Sequence, residues 1–290
     1  MTQIISSLEE VADRYDAAFV DLWGCVHDGH RPFESAVTAL QKFRAMGKKV
    51  VLVTNAPRHR AAVARQLEKI GVPDDSWDTI ATSGDSARFA MYHRAVGTKV
   101  YFIGQPHDLN FFEPLAIVKD APEIVRVPLS EAEGIVCTGP EDPLADPDVY
   151  RPLFLDAKVR GLKLLCANPD IVVDRGETRE WCAGALAQLY TEMGGESLYF
   201  GKPWPPIYDL ARHRLSELGA GVDDRRIVAI GDGILTDVKG AVGEDLDVIF
   251  ISGGLAAEET RTIEQPDPVA LQAYLEAEQF DPTFTIGKLR

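Results

Sequence analysis

Short apolar runs that end in a polar residue constrain the fold of this chain more than any other feature. Helix-like segments at 35–46 and 59–70 separate the first runs, and each of them stops at a glycine. Continuous apolar strands separated by helices predict a parallel sheet that is buried on both faces. The clearest runs and the polar residues after them are Ala17–Val20 with Asp21, 50–53 with Thr54, and 227–230 with Asp232 one residue further on.

The middle of the chain, residues 83–178, carries strand signals of its own, which indicate a second α/β unit inserted into the first. The predicted fold is therefore α/β, with a Rossmann-like three-layer core around a parallel sheet and an inserted α/β domain. The residues from Gln279 onward are expected to form an extended tail. The strand signals of the middle region lie at Lys99–Ile103, 134–138 and 163–167.

Composition excludes several classes of protein. A net charge of −15 at pH 7 argues against a nucleic-acid-binding surface. No run of about 18 apolar residues occurs, so no membrane-spanning helix is expected, and the N-terminus lacks the basic and apolar segments of a signal peptide. The four cysteines show no C-x-x-C spacing, which predicts reduced thiols in a cytoplasmic protein rather than a zinc site or a disulfide framework.

Three aspartates are candidate magnesium ligands. Ligands of open parallel sheets bind beyond the carboxyl ends of the strands. Asp21 lies at such an end, and Asp232 begins a loop that carries another carboxylate at Asp237. Mg²⁺ prefers oxygen ligands and is usually bound by one or two carboxylates together with water and substrate phosphate. Each of these residues alone is more often a turn or helix-cap residue.

Two further segments suit a phosphate group. Thr54-Asn55 follows an apolar run, and a hydroxyl with backbone amides at a helix entry fits phosphate oxygens. Lys202 lies between a glycine and a proline, and its ammonium could neutralise a phosphate and a neighbouring carboxylate. Taken singly, Thr54-Asn55 is typical of a helix cap and Lys202 of the protein surface.

The order Asp, Thr, Lys and Asp-x-x-x-x-Asp, each after an apolar run, resembles the haloacid dehalogenase (HAD) superfamily from Asp21 to Asp237. A finer resemblance is to subfamily IIA, which includes N-acetylglucosamine-phosphate and 4-nitrophenyl-phosphate phosphatases. It implies a catalytic core formed by 1–82 and 179–290, with an α/β cap inserted at 83–178. The strings that carry it are Val53-Thr54-Asn55-Ala56-Pro57, Ala81-Thr82-Ser83, Ala167-Asn168-Pro169-Asp170 and Gly201-Lys202-Pro203.

The resemblance implies two-step phosphoryl transfer to water. Asp21 would attack phosphorus and form an aspartyl-phosphate, which water then hydrolyses. Mg²⁺ would be held by Asp21, the backbone carbonyl of Trp23 and Asp232, with Asp237 as a ligand or beside one. The threonine and lysine motifs would bind the transferring group, and Lys202 would also orient the nucleophile.

Trp23 departs from the family pattern. HAD phosphatases usually read Asp-x-Asp-Gly in the first motif, where the second Asp protonates the leaving group and later activates water. An indole cannot exchange a proton in this way, and such proton transfer is typically worth about 10²–10⁴-fold in rate. Three outcomes stay open. His27 or, preferentially, Asp28 supplies the proton. Alternatively, only substrates with good leaving groups react, or the chain binds a phosphorylated ligand without turning it over.

The sequence predicts the type of reaction but leaves several classes of substrate open. Dehalogenases of the superfamily read Asp-x-Tyr-Gly-Thr, which is close in shape to residues 21–25, but they need no metal, and the pair of aspartates at 232 and 237 favours phosphate. A sugar phosphate, a polyol phosphate and a nucleotide monophosphate all fit. Asn168 and Asp170 could contact substrate hydroxyls or simply shape a turn. The resemblance also leaves a homodimer open.

Overall fold

The computed structural model describes residues 2–115, 118–175, 178–219 and 221–290. The chain forms two compact units. The first contains Met1–Thr54, Ala61–Ala81 and Tyr208–Arg290, and the second contains Asn55–Arg60 and Thr82–Ile207.

The strands belong to two larger sheets and one hairpin. They are β1 (Gln3–Ile4), β2 (Ala17–Val20), β3 (Lys49–Thr54), β4 (Thr79–Thr82), β5 (Lys99–Ile103), β6 (Val125–Arg126), β7 (Gly134–Cys137), β8 (Lys163–Cys166), β9 (Val172–Arg175), β10 (Thr178–Trp181), β11 (Glu196–Tyr199), β12 (Ile227–Gly231), β13 (Asp247–Ile251) and β14 (Phe284–Ile286).

Helices connect most of these strands. They are α1 (Glu34–Ala45), α2 (Arg60–Ile70), α3 (Ser83–Tyr92), α4 (Arg151–Val159), α5 (Ala183–Glu192), α6 (Pro205–Glu217), α7 (Lys239–Gly243) and α8 (Pro268–Glu278). Short 3₁₀ turns are Leu8–Glu10, Ala12–Arg14, Asp74–Ser76, Pro106–Phe112, Leu129–Glu131, Pro147–Tyr150 and Asp224–Arg226, and Ile234–Val238 is a single π-helical turn.

The first unit is built on a seven-stranded sheet in the order β1-β14-β13-β12-β2-β3-β4. Strand β2 lies between β12 and β3 and pairs with both in parallel, so that Val20 is opposite Ile230 on one side and Leu52 on the other. All residues of β2 and β12 are buried, as expected for parallel strands that are covered on both faces. The register therefore brings the ends of β2, β3 and β12 to one edge of the sheet.

The second unit contains a five-stranded parallel sheet in the order β11-β8-β7-β5-β6 and the antiparallel hairpin β9–β10. One face of the sheet packs on α4 and α5 through a cluster that includes Phe154, Leu186 and Tyr190. The other face packs on α3 through a cluster that includes Met91 and Val100. Because both faces are covered, this unit has its own hydrophobic core.

These observations confirm the predicted α/β fold with parallel sheets. The units differ from the predicted domain assignment because residues 179–207 lie in the second unit, where β11 pairs with β8 along its whole length. The expected extended tail contains β14, which is buried between β1 and β13. Among the described residues, the helices are all too short or too polar to cross a lipid bilayer.

Candidate active site

Asp21 directly follows β2, and its backbone N–H donates to the carbonyl of Ile230 at 2.8 Å. This bond continues the pairing of β2 with β12 by one residue and fixes where the Asp21 backbone lies. The chain then turns sharply at Gly24, whose φ of +72° is unfavourable for residues with a side chain. The N–H of Gly24 donates to the carbonyl of His27 at 3.1 Å, which closes the turn.

Asp232 follows β12 by one residue, and its side chain is buried against the Gly24 turn. The backbone N–H of Leu255 donates to its Oδ2 atom at 3.1 Å. An ideal Cβ atom on Gly24 would lie 2.7 Å from Cγ of Asp232, so the glycine is what permits this close approach. Two strand ends that are adjacent in the sheet thus present Asp21 and Asp232 side by side.

Asp21, Cys25 and Asp232 form a cluster, called here the donor cluster, in which one ligand atom from each side chain lies within 4.8 Å of the others. Ligands of one metal ion bind at about 2.0–2.3 Å and so lie within about 4.6 Å of each other. The three donor atoms lie close enough together for modest movements of the side chains to bring them to a single cation. The donor cluster therefore fits a divalent metal ion, with two carboxylates and one thiol.

Cys25 is the member of this cluster that the sequence did not identify. It is 1% exposed and lies in the turn that follows Asp21. The absence of C-x-x-C spacing directed attention away from it, although its position four residues after Asp21 was a usable signal. In the part of the chain that the structure describes, none of the four cysteines forms a disulfide, and the other three lie in the second unit.

Asp237 lies outside the donor cluster and orders the loop that carries Asp232. Its Oδ2 atom accepts hydrogen bonds from the backbone N–H of Gly233 at 3.1 Å and from the Thr236 hydroxyl at 3.3 Å. The loop continues into the π-helical turn Ile234–Val238. Of the two roles predicted for Asp237, these contacts favour support of the site over direct ligation.

Thr54 is the last residue of β3, which neighbours β2, and it is 5% exposed. Its place at the carboxyl end of that strand is the one predicted for a phosphate-binding hydroxyl.

The remaining predicted residues meet in the second unit. The Asn55 amide nitrogen donates to Oδ1 of Asp170 at 2.8 Å and to the carbonyl of Lys202 at 3.1 Å. Its Oδ1 atom accepts from the Lys202 backbone N–H at 2.7 Å. Asn168 accepts from the backbone N–H of Asp170 at 3.0 Å. The amide of Asn55 thus holds the backbone of Lys202, and Asn168 shapes the turn to Asp170, as the alternative interpretation of that segment had it.

Trp23 is held in place by the loop that follows the first motif. Its ring packs on Gly29, where an ideal Cβ atom would lie 2.8 Å from Cζ2 of the indole. The edge of the ring meets the His27 imidazole, with the centroids 5.5 Å apart. His27 is buried, its Nδ1 accepts from the Gly29 N–H at 3.0 Å, and burial lowers the pKa of its imidazole to about 4.

The carboxylate of Asp28, the predicted proton donor, accepts the hydrogen bonds that close a turn. Its Oδ1 atom accepts from the backbone N–H groups of Arg31 and His30, each at 2.9 Å, and Oδ2 accepts from the Arg31 guanidinium at 3.3 Å. The hydrogen bonds from Arg31 and then His30 lower the pKa of the Asp28 carboxyl to about 2. A carboxyl that is ionised at neutral pH has no proton to give, so these contacts favour a structural role for Asp28.

An α/β sheet with acidic side chains at its carboxyl edge defines a class of hydrolases, and comparison with known proteins shows which one. The model of haloacid dehalogenase-like hydrolases matches residues 18–117, and the HAD-hydrolase-like model matches 199–274. A crystal structure of a haloacid dehalogenase-like hydrolase from Brucella suis is 39% identical, with a TM-score of 0.81, 99% of this chain covered and 100% of that one. The chain belongs to the haloacid dehalogenase-like family.

Two other relatives are more distant. D-glycerol 3-phosphate phosphatase from Mycobacterium tuberculosis is 26% identical over 255 residues, which are 86% of this chain and 66% of that protein. The chain thus spans slightly less than two thirds of that relative. A 4-nitrophenylphosphatase structure from Thermotoga maritima is 20% identical, with a TM-score of 0.69 and 96% of each chain covered. The predicted membership of the HAD superfamily is confirmed, and the fold is shared with the Thermotoga maritima structure.

Proposed function

We propose that this chain is a divalent-metal-dependent phosphatase that hydrolyses a small phosphorylated metabolite through an aspartyl-phosphate on Asp21. The observation that carries the proposal is the donor cluster, which surrounds the predicted nucleophile with a second carboxylate and a thiol. A haloacid that reacts with an aspartate needs no metal, whereas the negative charges of a phosphate and a carboxylate repel each other. A site that fits a cation beside Asp21 therefore favours phosphate over a haloacid.

The Asp21 and Asp232 carboxylates would hold the cation, together with the backbone carbonyl of Trp23. Mg²⁺ bound there would offset the negative charge of both the nucleophile and the phosphate. Asp237 would keep the Asp232 loop in position through its bond to Gly233.

The chain's own residues supply the nucleophile. An Asp21 carboxylate oxygen attacks phosphorus, the bond from phosphorus to the ester oxygen breaks, and the leaving group departs with the electron pair of that bond. A water molecule then attacks the phosphorus of the aspartyl-phosphate, frees the Asp21 carboxylate and gives up its proton to form inorganic phosphate. Thr54 and Lys202 are proposed to bind the phosphate oxygens, as the order of the motifs predicts.

Departure of the leaving group is the difficult step for this chain. The Trp23 indole has no proton to transfer, and Asp28 is held ionised in a turn. Neither residue can therefore protonate the leaving oxygen, and the rate should depend steeply on how acidic the leaving group is. Phosphate esters of acidic alcohols, phenols or enols are better substrates for such a site than esters of simple alcohols.

A small polyol or sugar phosphate is the proposed physiological class, and because its leaving group is a simple alcohol, its turnover should be slower than that of 4-nitrophenyl phosphate. The relative from Mycobacterium tuberculosis is named for D-glycerol 3-phosphate, a small polyol phosphate. Asn168 and Asp170 use their polar atoms within the second unit, so they are not included as substrate contacts.

A second candidate function is the binding of a phosphorylated ligand without turnover. Trp23 supports it, because this side chain, which packs against Gly29, stands where the family pattern has its proton-transferring aspartate and cannot transfer a proton itself. The ligand class would be the same as for the phosphatase.

The test is turnover of 4-nitrophenyl phosphate and of a panel of sugar and polyol phosphates, with Mg²⁺ and with EDTA. The proposal expects hydrolysis that needs Mg²⁺ and disappears in Asp21→Asn. Calorimetric binding of panel members without hydrolysis would instead establish the binding protein. Halide release from 2-haloacids in EDTA would overturn both.

A further inference from the structure

The donor cluster contains a sulfur atom, which a magnesium site does not need. Cys25 is almost completely buried, and its Sγ atom lies within 4.8 Å of a carboxylate oxygen of both Asp21 and Asp232. The three donors come from two chain segments, the turn after β2 and the loop after β12. Their convergence therefore depends on the sheet and not on local sequence.

The local backbone holds Cys25 within a turn. Hydrogen bonds from Val26 N–H to Leu22 carbonyl at 2.8 Å and from Gly24 N–H to His27 carbonyl at 3.1 Å bracket Cys25 within a tight turn. On the opposite side, the Leu255 N–H holds Oδ2 of Asp232. The backbone turn that carries Cys25 and one oxygen of Asp232 are thus held by hydrogen bonds within the protein.

The chemistry of sulfur selects a different cation from that of oxygen. Mg²⁺ requires near-octahedral oxygen coordination at about 2.0–2.1 Å and gains little from a thiol. Zn²⁺ and Co²⁺ bind thiolate and carboxylate together, with a zinc–sulfur distance of about 2.3 Å, and soft ligands raise selectivity for such ions. When a thiol coordinates, its proton is released to solvent and the sulfur binds as the thiolate.

We propose that Asp21, Cys25 and Asp232 form a mixed oxygen and sulfur site that binds Zn²⁺ more tightly than Mg²⁺, with the Cys25 thiolate as the ligand that decides the preference. The site is the one invoked in the proposed function, but the inference concerns which ion it prefers and is independent of turnover. Zn²⁺ and Mg²⁺ exclude each other from it, because Asp21 and Asp232 serve both ions.

Co²⁺ is a suitable probe, because sulfur bound to Co²⁺ gives a charge-transfer absorption in the near ultraviolet that oxygen ligands do not give. The full chain is freed of metal with EDTA, dialysed and titrated with Co²⁺. The wild-type chain is expected to develop this band with one equivalent, and Cys25→Ser is expected to lose it. Cys182→Ser is the matched control, since Cys182 is the N-cap residue of α5, where serine is well accepted.

Competition calorimetry gives the preference itself. In Cys25→Ser, the affinity for Zn²⁺ is expected to fall by about tenfold or more, while the affinity for Mg²⁺ changes by less than about threefold. Cys25→Ala provides a second variant, and circular dichroism verifies that both variants are folded.

The outcomes separate this inference from the proposed function. A charge-transfer band that persists in Cys25→Ser, or equal losses of Zn²⁺ and Mg²⁺ affinity, would overturn the inference even if the chain were an active phosphatase. A band that depends on Cys25 in a chain that hydrolyses none of the phosphate esters would support the inference and reject the proposed function.

Discussion

Gly24 and Asp232 approach so closely that a Cβ atom on the glycine would lie 2.7 Å from Cγ of the aspartate. The turn after the first motif and the loop after β12 therefore fit together only if position 24 has no side chain. Gly24 also has a φ of +72°, which side chains disfavour.

Gly24→Ala is expected to lower the free energy of unfolding by about 3 kcal/mol and to displace Asp232 from the donor cluster. Gly47→Ala is the matched control, because Gly47 has a φ of +81° but no atom within 4 Å of an added Cβ. Gly47→Ala should lower the free energy of unfolding by only about 1 kcal/mol, which is the cost of a left-handed backbone for a residue with a side chain. Urea denaturation and Mg²⁺ calorimetry measure both effects. Equal losses in the two variants would show that the contact with Asp232 is unimportant.

Asp28→Asn tests whether this residue donates a proton. Asparagine retains the Oδ1 acceptor for the His30 and Arg31 N–H groups and can form the same turn. We therefore expect kcat for glycerol 3-phosphate, which has a poor leaving group, to change by less than about threefold, whereas removal of a general acid would lower it by about 10²–10⁴-fold. Asp21→Asn, the same substitution at the nucleophile, should abolish turnover. A large loss of kcat in Asp28→Asn would show that Asp28 does donate a proton to the leaving group.

Trp23→Asp places a carboxyl group where the family pattern has its second aspartate. The rate for a poor leaving group, such as glycerol 3-phosphate, is expected to rise by about 10²-fold, and the rate for 4-nitrophenyl phosphate should rise much less. Trp23→Phe retains a ring on Gly29 without a carboxyl group and should leave the ratio of the two rates unchanged. The measurement is kcat/KM across leaving groups of graded acidity. An unchanged dependence on leaving-group acidity in Trp23→Asp would contradict the explanation given for Trp23.

His27 should make stability depend on pH. Burial lowers the pKa of its imidazole from 6.5 to about 4, so between these values the unfolded chain binds a proton that the folded chain does not. The contribution of His27 to the free energy of unfolding is therefore fully present above pH 6.5. It is lost as the pH decreases towards 4, which lowers the free energy of unfolding by about 3 kcal/mol at most.

The variant His27→Gln should lose this part of the pH dependence, and His30→Gln, an exposed position in the same loop, should keep it. Urea denaturation in EDTA at a series of pH values is the measurement, since EDTA removes any contribution from bound metal. Parallel stability curves for the wild-type chain and His27→Gln would show that His27 does not titrate in this way.

Asn55→Asp should destabilise the second unit. The substitution replaces an N–H donor by a carboxylate oxygen that faces Oδ1 of Asp170 and the carbonyl of Lys202. Repulsion and the loss of two hydrogen bonds predict a cost of about 3 kcal/mol. Asn168→Asp keeps the acceptor that binds the Asp170 N–H and should cost about 1 kcal/mol or less. Thermal unfolding compares the two, and similar values would exclude a special role for the Asn55 amide.

Much of this fold was predictable because its main strands are long, apolar and buried on both faces. The runs that end at Asp21, Thr54 and Asp232 form adjacent parallel strands, and a parallel register places their ends together. The short strand β14 was missed because three residues are too few to show a periodic pattern. The position of β14 in the sheet depends on its pairing with β1 and β13. Local sequence does not predict such long-range pairing.

The acidic residues of the candidate site were predictable from the sequence, but the position of Cys25 and the contacts of Asn55 were not. Asp21 and Asp232 follow strands directly, so their positions depend on the sheet. Cys25 lies beside them because of the turn at Gly24, which is closed by hydrogen bonds that a pattern of apolar runs does not report. The side chain of Asn55 bonds the backbone of Lys202, which is distant in sequence; binding of phosphate by the Asn55 segment stays a prediction. Such pairings arise only when the chain is folded.

The pairing of β2 with β12 also has a consequence for the time at which this protein becomes functional. The ribosome synthesises Asp21 early and Asp232 late. Because the donor cluster joins residues so far apart in sequence, it cannot form until most of the chain has been synthesised. The second unit has its own core and can fold before that. A nascent chain would therefore hold a folded second unit and an unassembled donor cluster, which would form only when β12 inserts beside β2.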